Sequence, residues 1–238
     1  MNNIALIIAG GVGARMGQDI PKQFLSVYDK PVIVYTMEAF QRHPQIDGIE
    51  VVCIDAWKGA LTAYAKQFGI AKLENIVSGG KNGQDSIRNG LQDIAARHSE
   101  KDDIVLVHDA IRPMVSEEII TENIRVCREY GNAITVVPCT AAMLKTMDSL
   151  SSEEQVPRDN LKITQTPQSF FIRDLLSAHQ EALEKGITNS VASCTMYIEL
   201  GRKLYMSGGS EKNLKLTTVE DIEIFKALLN AKKDEWMH

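Results

Sequence analysis

Two cations, Arg15 and Lys22, stand in a run from Ala9 to Lys22 that reads AGGVGARMGQDIPK and also holds Gly10, Gly11, Gly13 and Gly17. Glycines at this density let the backbone take positive φ and turn N–H groups toward a bound anion without side-chain obstruction. With two cations added, the run reads as a phosphate loop, and a nucleotide triphosphate is the ligand of matching charge. Other uses of glycine stay open at this point. A tight strand-to-helix turn needs the same residues. A dinucleotide site would also use Gly11, Gly13 and Gly17, but it wants a helix at once and an acid about 20 residues on. Here the loop continues to Pro21, and Lys30 and Pro31 occupy the stretch where that acid is wanted. No Gly-Lys-Ser/Thr closes the loop, so a phosphate-loop NTPase fits poorly.

Two further stretches carry reactive residue types. Ser78 to Ser86 (SGGKNGQDS) is a second glycine-bearing polar loop, and His108 to Pro113 (HDAIRP) sets a carboxylate beside an arginine.

The elements that must position these loops alternate between strand and helix patterns. Ile4–Ile8, Ile49–Ile54, Ile76–Val77 and Ile104–Val107 are apolar strand runs without polar alternation, as suits a parallel sheet covered on both faces. Between them, Ile33, Met37 and Phe40 repeat at helical spacing, with Pro31 at a first helical position, and Ile87, Leu91, Ile94 and Ala95 mark another helix. A weak helix falls at Gly59–Phe68, and Ser116 caps a further one with Glu117 and Glu118 in its first turn. Three strands thus end in polar or glycine-bearing loops, which an open α/β sheet gathers along one crevice.

After a fifth strand at Ala133–Val137 the rhythm changes. Residues 139–165 have no room for a crossover helix and read as a protruding β-arm, whose apolar flanks would want a partner subunit. The sheet resumes at Ile163–Phe171. Helices follow at Arg173–Lys185 and Ser190–Leu200, each stopped by a glycine. A strand at Lys203–Met206 leads to Asn213–Thr218 and a final amphipathic helix facing inward through Ile222, Phe225, Leu228 and Leu229.

Composition sets outer limits. The chain has 238 residues, 44% hydrophobic and 24% charged, enough for one large core, and its formal charge of −5 supplies no basic field for nucleic acid. Cys53, Cys127, Cys139 and Cys194 form no C-x-x-C pair, so buried free thiols are expected rather than a zinc site or disulfides. With no targeting pattern and no bilayer-length apolar run, a cytoplasmic protein without membrane partners is expected.

The run AGGVGARMG with IPKQF, then HDAIRP, Arg158, Thr166-Pro167-Gln168 and Asn213-Leu214-Lys215, resembles the cytidylyltransferases that make CDP-alcohols from CTP. Known branches act on 2-C-methyl-D-erythritol 4-phosphate or ribitol 5-phosphate, and the likeness spans almost the whole chain. It implies a single Rossmann-like, glycosyltransferase-A-like α/β domain over residues 1–238. Three layers, a mostly parallel sheet and an arm that joins a homodimer are implied with it. Arg15, Lys22 and Lys215 then match the catalytic cations. Ala9, Gly10, Gly11, Gly13, Gly79, Gly80, Asp85 and Ser86 match the CTP-binding positions, Ser86 with the Gly79-Gly80 backbone reading the cytosine. Asp109, Arg112 and Arg158 match the acceptor-binding positions, Arg158 reaching in from the partner's arm, and Asp109 is the expected ligand of Mg²⁺ or another divalent cation. His108 is expected to be structural or supporting.

Departures concentrate on the acceptor side. Lys81 and Gly83 stand where the family usually has an acid and an arginine. Asn189 after Thr188 stands where an aspartate is common, and Ala141-Ala142 replaces an Asp-Thr pair. Ala9-Gly10-Gly11 resembles the ribitol-phosphate branch. An NAD(P)-dependent reductase and a non-catalytic nucleotide-binding protein are the alternative classes; the acceptor-side cations argue against the latter.

Overall fold

The computed structural model describes residues 1–11, 20–98, 100 and 102–234, with side chains as far as residue 231. Gly13, Arg15 and Gly17 lie outside the described residues.

The first strand, β1 (Asn3–Ala9), is apolar and lies in the middle of a seven-stranded sheet. It pairs in parallel with β4 (Gly48–Cys53) on one side and β6 (Ile104–Asp109) on the other. Because side chains alternate along a strand, Ala5, Ile7 and Ala9 enter one core while Ile4 and Leu6 enter the other. That double burial is why the run is unbrokenly apolar. β5 (Leu73–Ser78) extends the sheet beyond β4. On the other side the order continues through β10 (Lys162–Phe171), β7 (Asn132–Pro138) and β11 (Met206–Gly208). β10 runs antiparallel to both its neighbours, and the remaining strands are parallel.

Helices cover both faces. α1 (Val32–Arg42), α2 (Lys58–Gln67) and α4 (Glu117–Tyr130) pack on the first core. α3 (Gly83–Arg97), α5 (Ile172–Glu184) and α6 (Ser193–Glu199) pack on the second. A smaller cluster seats α7 (Val219–Asp234) through Phe225 and Ile222, with Leu229 alongside, against Val27, Val32, Ile111 and Leu216.

Local chemistry accounts for the boundaries. Ser116 accepts a hydrogen bond from the Ile119 N–H and caps α4, which ends at Gly131 in the left-handed region (φ 92°). Gly186 (φ 72°) and Gly201 (φ 73°) close α5 and α6 in the same way. Pro31 is not the first helical residue but the cap before it, because Lys30 and Pro31 form β3 and pair with β2 (Ser26–Val27).

Two expectations shift in the last third. The helix expected over Ser190–Leu200 begins only at Ser193, because the Gln84 side chain accepts from the Ser190 N–H (2.8 Å) and donates to the Ile187 carbonyl (2.7 Å), holding the chain out of a helix over residues 187–190. The strand expected at Lys203–Met206 lies at Met206–Gly208. Ahead of it the Asn132 side chain bonds the Lys203 carbonyl and the Tyr205 N–H in place of a backbone ladder.

The arm leaves the sheet after Pro138 and returns at Lys162, so residues 162–165 belong to β10 rather than to the arm. It carries its own hairpin, β8 (Met143–Lys145) with β9 (Glu154–Val156), and is exposed along most of its length.

Candidate active site

The carboxyl ends of β6 and β1 are adjacent and that of β5 lies one strand further on, across β4, and the loops that follow β1, β5 and β6 line one cavity of about 450 Å³. Its walls come from Ala9, Gly10 and Gly11 after β1, from Gly80 to Gly83 and Ser86 after β5, and from Asp109 to Ile111 after β6. Lys22 and Lys215 project into it from two other parts of the chain.

None of Gly10, Gly11, Gly79 and Gly80 takes a positive φ, contrary to the expectation for a glycine loop; at Gly10, Gly79 and Gly80 the role is close approach, while Gly11 faces open space among the described residues. A Cβ on Gly10 would lie 3.4 Å from Ser86 Oγ and 3.8 Å from Gly79 Cα, so the two loops touch across the cavity edge. At Gly80 a Cβ would come within 2.3 Å of Asp85 Cβ. The buried Gln23 amide donates to the carbonyls of Ala9 (2.8 Å) and Gly11 (3.0 Å). These bonds tie the start of the glycine loop to the 3₁₀ turn Lys22–Phe24 and fix where Lys22 leaves the backbone.

The second loop is held from within. Ser86 Oγ accepts from the Gly80 N–H (3.0 Å) and donates to the Asn82 carbonyl (2.8 Å), while Asn82 caps α3 by accepting from the Asp85 N–H. With its hydrogen engaged inside the loop, Ser86 offers the cavity an acceptor only. Asp85 pairs with Arg88 at 2.8 Å along α3, and neither it nor Gly79 lines the cavity. Lys81 and Gly83, two of the departures from the family pattern, do line it.

The β6 end concentrates charge. Arg112 donates from Nε to Asp109 Oδ2 (3.0 Å) and from Nη1 to the Asn213 carbonyl (2.8 Å), and Lys215 Nζ lies 3.2 Å from both carboxylate oxygens. The Leu216 N–H bonds the Ile111 carbonyl, which brings the 213–216 segment alongside. Burial pushes the Asp109 pKa up, but Lys215 and Arg112 outweigh it and hold the carboxyl below its ordinary range. Asp109 is therefore a carboxylate at neutral pH. Arg112 lies behind Asp109 rather than in the cavity wall. His108 is wholly buried beneath them, and burial pushes its ring down to about 4.

Arg158 is not brought to this cavity within one chain. It sits on the arm, its Nη1 on the Thr140 carbonyl, beside a separate hollow lined by Cys139, Leu161 and Lys162. The four cysteines are free and buried, as expected, and burial raises Cys53 to about 11 and Cys127 to about 12, which excludes thiolate chemistry there.

Sequence reasoning assigned no role to Gln23, Thr166 or the Val191–Ser193 segment, which either line the cavity or shape it. Thr166 and Gln23 lie inside motifs whose other members drew attention. Val191–Ser193 carries no local signal, since Gln84 in another element places it.

Among the described residues, no group of three or more His, Cys, Asp or Glu side chains could hold a metal by itself. One ionised carboxylate at the cavity edge matches a cation that arrives on phosphate oxygens and takes one protein ligand. No helix of the described residues is long and apolar enough to cross a membrane.

Comparison with known proteins agrees with this geometry. The family profile described as IspD, 2-C-methyl-D-erythritol 4-phosphate cytidylyltransferase, matches residues 3–231. The chain is 42% identical over 231 residues to a protein named ribitol-5-phosphate cytidylyltransferase from Lacticaseibacillus paracasei, covering 96% of this chain and 98% of that one. It is 33% identical over 236 residues to one named 2-C-methyl-D-erythritol 4-phosphate cytidylyltransferase from Geotalea uraniireducens, covering 99% and 100%. The crystal structure of a 4-diphosphocytidyl-2C-methyl-D-erythritol synthase from Anaerococcus prevotii superposes with a TM-score of 0.82 over 96% of each chain; at 23% identity this likeness concerns the fold alone. The nicotinamide reading is left without support, and the chain belongs to the 2-C-methyl-D-erythritol 4-phosphate cytidylyltransferase family.

Proposed function

We propose that this chain transfers CMP from CTP to a phosphorylated sugar alcohol, with ribitol 5-phosphate as the acceptor, releasing pyrophosphate. The observation that carries the transfer reading is the meeting of Lys22, Asp109 and Lys215, from three separate stretches, around one cavity edged by two glycine loops. In the reaction a phosphate oxygen of the acceptor attacks the α-phosphorus of CTP. A new P–O–P bond forms, the bond to the β-phosphate oxygen breaks, and the electron pair leaves with pyrophosphate.

Both reactants are polyanions, so the residues act by neutralising charge and fixing geometry rather than by moving protons. Lys22, beside the first glycine loop, is placed for the β- and γ-phosphates and the charge growing on pyrophosphate. Arg15, on the same loop by sequence, is proposed to share that task. Lys215, at the junction with Asp109, is placed for the α-phosphate and the incoming phosphate. The loop from Gly79 to Ser86 presents amides and the Ser86 oxygen to the cytosine. Mg²⁺ would be held by phosphate oxygens and Asp109, and when bound it supplies further neutralisation of phosphate charge.

The acceptor assignment rests on the higher identity to ribitol-named relatives, 37–42% against 33–36% for methylerythritol-named ones, and on Ala9-Gly10-Gly11. Homodimerisation through the arm completes the reading. Met147 (92% exposed) and Leu150 (93%) stand uncovered at its tip, and Arg158 on the same arm has no route to its own chain's cavity wall.

The test is pyrophosphate release from CTP and Mg²⁺ with ribitol 5-phosphate, 2-C-methyl-D-erythritol 4-phosphate or glycerol 3-phosphate. The highest kcat/KM is expected with ribitol 5-phosphate. A preference for methylerythritol phosphate would overturn the acceptor, and no release with any phosphorylated alcohol would overturn the transfer.

A further inference from the structure

His108 is fully buried, and unlike His179, whose ring nitrogens both lack partners, it has a partner on each nitrogen. Nε2 lies 3.2 Å from the Arg112 carbonyl and Nδ1 lies 3.1 Å from Thr166 Oγ1; the same Oγ1 lies 3.0 Å from the Asp109 N–H. The identities of these groups leave one arrangement of hydrogens. A carbonyl only accepts, so Nε2 carries the ring proton, and Nδ1 of the neutral ring has only a lone pair to offer. The Thr166 hydroxyl must then donate to Nδ1, which leaves its oxygen to accept from the Asp109 N–H. The tautomer follows from the partners, and every bond in the chain of contacts has one direction.

We propose that His108 is a positioning residue for the transfer, fixing the Thr166 hydroxyl and the Arg112 backbone so that Asp109 and Arg112 meet Lys215 in one geometry. The ring is itself immobilised, with Phe40 of α1 in edge contact at 5.0 Å between centroids. Together with the Asp109 N–H on the same hydroxyl, it ties two segments: the β6 end, where the main chain turns from Asp109 to Arg112, and β10, where Thr166 lines the cavity. Asn213 closes the far side, its Nδ2 donating to the Thr166 carbonyl (2.9 Å) and its own carbonyl accepting from Arg112. Arg112, Asp109, Thr166 and Lys215 thus move as a unit whose internal fixture is His108. Thr166, with its hydrogen turned toward the ring, faces the cavity as an acceptor only, suited to a hydroxyl donor of the alcohol rather than to a phosphate.

Among the described residues, the ring's hydrogen bonds run to Arg112 and Thr166, while the second glycine loop is held by its own bonds through Ser86 and Asn82. His108 substitution is therefore expected to weaken use of the acceptor far more than binding of CTP, whose base and terminal phosphates rest on the two glycine loops and Lys22, a separation that a merely structural core residue would not produce. The inference rests on the transfer reading, and wild-type turnover is the control that separates the two: with no turnover in the wild type, it is the transfer reading that fails.

The experiment compares His108→Phe, His108→Asn and His108→Gln with the wild-type chain. CTP dissociation is followed by calorimetry, acceptor kinetics by pyrophosphate release and folding by thermal unfolding. His108→Phe keeps the ring contact with Phe40 and loses both hydrogen bonds; its kcat/KM for the acceptor is expected to fall about 30- to 100-fold with CTP affinity within about twofold of wild type. His108→Asn, whose Oδ1 stands near the place of Nδ1, keeps an acceptor for Thr166 and is expected to recover about tenfold of that loss, whereas His108→Gln reaches only the Arg112 side and recovers less. Wild-type acceptor kinetics in His108→Phe would overturn the proposal. So would equal loss of CTP and acceptor binding in a folded variant. Should His108→Phe fail to fold, the Asn and Gln pair decides: equal kcat/KM in the two would also overturn it.

Discussion

Asp109 and Lys215, separated by 106 positions in the chain, meet with the lysine Nζ 3.2 Å from both carboxylate oxygens. This junction is where the end of β6 and the segment before α7 become one surface. Arg112 shares the carboxylate from the buried side, so a single negative charge stands between two positive ones. The net positive character of the group is what a pair of phosphate-bearing reactants requires.

Lys215→Ala is expected to lower kcat by about 10²- to 10³-fold, the range for removing one preorganised charge contact at a reacting centre. Its side chain is 43% exposed, so the lost ion pair should change folding stability by less than about 1 kcal/mol. Pyrophosphate release and urea unfolding, measured on the same preparation, separate the two quantities. Turnover like that of the wild type would remove Lys215 from the site.

Two neighbouring loops offer a paired test of close approach. Gly80→Ala places a Cβ 2.3 Å from Asp85 Cβ and 2.9 Å from the Ser86 N, so the loop must move and CTP affinity should fall at least tenfold. Gly11→Ala meets nothing within 4 Å among the described neighbours, and its effect without nucleotide should be small. Calorimetric CTP titration of both variants checks the contrast, and equal affinities would remove the packing argument.

The arm prediction concerns mixed dimers. Arg158→Ala and Lys22→Ala are each expected to be nearly inactive alone, and mixing them should restore up to a quarter of wild-type activity through dimers that hold one intact composite site. Recovery absent under subunit exchange, with dimers verified by light scattering, would mean that Arg158 serves its own chain or no site.

His179, like the buried His108, contributes to the acid limb of stability. It is 2% exposed, and burial without a partner pushes its pKa from 6.5 to about 4. The folded state binds its proton less readily than the unfolded chain, so this stability is complete above about pH 6.5 and is lost as pH falls toward 4. At pH 5 the loss is about 2 kcal/mol from this residue alone. His179→Leu should flatten the fall of urea-unfolding free energy between pH 7 and 5 by that amount. An unchanged slope would show that the ring gains a proton partner on acidification.

Much of the fold was legible in the chain. Ile4–Ile8, Ile49–Ile54 and Ile104–Val107 are strands of a parallel sheet because only doubly covered strands tolerate such continuous apolar sequence. Ser116, Gly186 and Gly201 marked helix ends through backbone chemistry that acts within a few residues. Less legible were the late elements: Ser190 was read into a helix, yet Gln84, about a hundred positions earlier, takes its N–H and keeps it outside one. The first glycine loop was read as a phosphate loop on the ground of positive φ, yet neither Gly10 nor Gly11 takes one, and Gly10 instead lets the two loops approach.

The sequence by itself determined the inventory: which strands are central, where polar loops begin, and which cations and carboxylate the chain has available for phosphate chemistry. These follow from periodicity, caps and residue type, all local properties. The tertiary structure alone decided that Lys22, Asp109 and Lys215 share a cavity, that Ser86 is bound up within its loop, and that His108 faces Thr166. Those relationships join residues far apart along the chain, and only packing of the sheet and its two helical layers sets such distances.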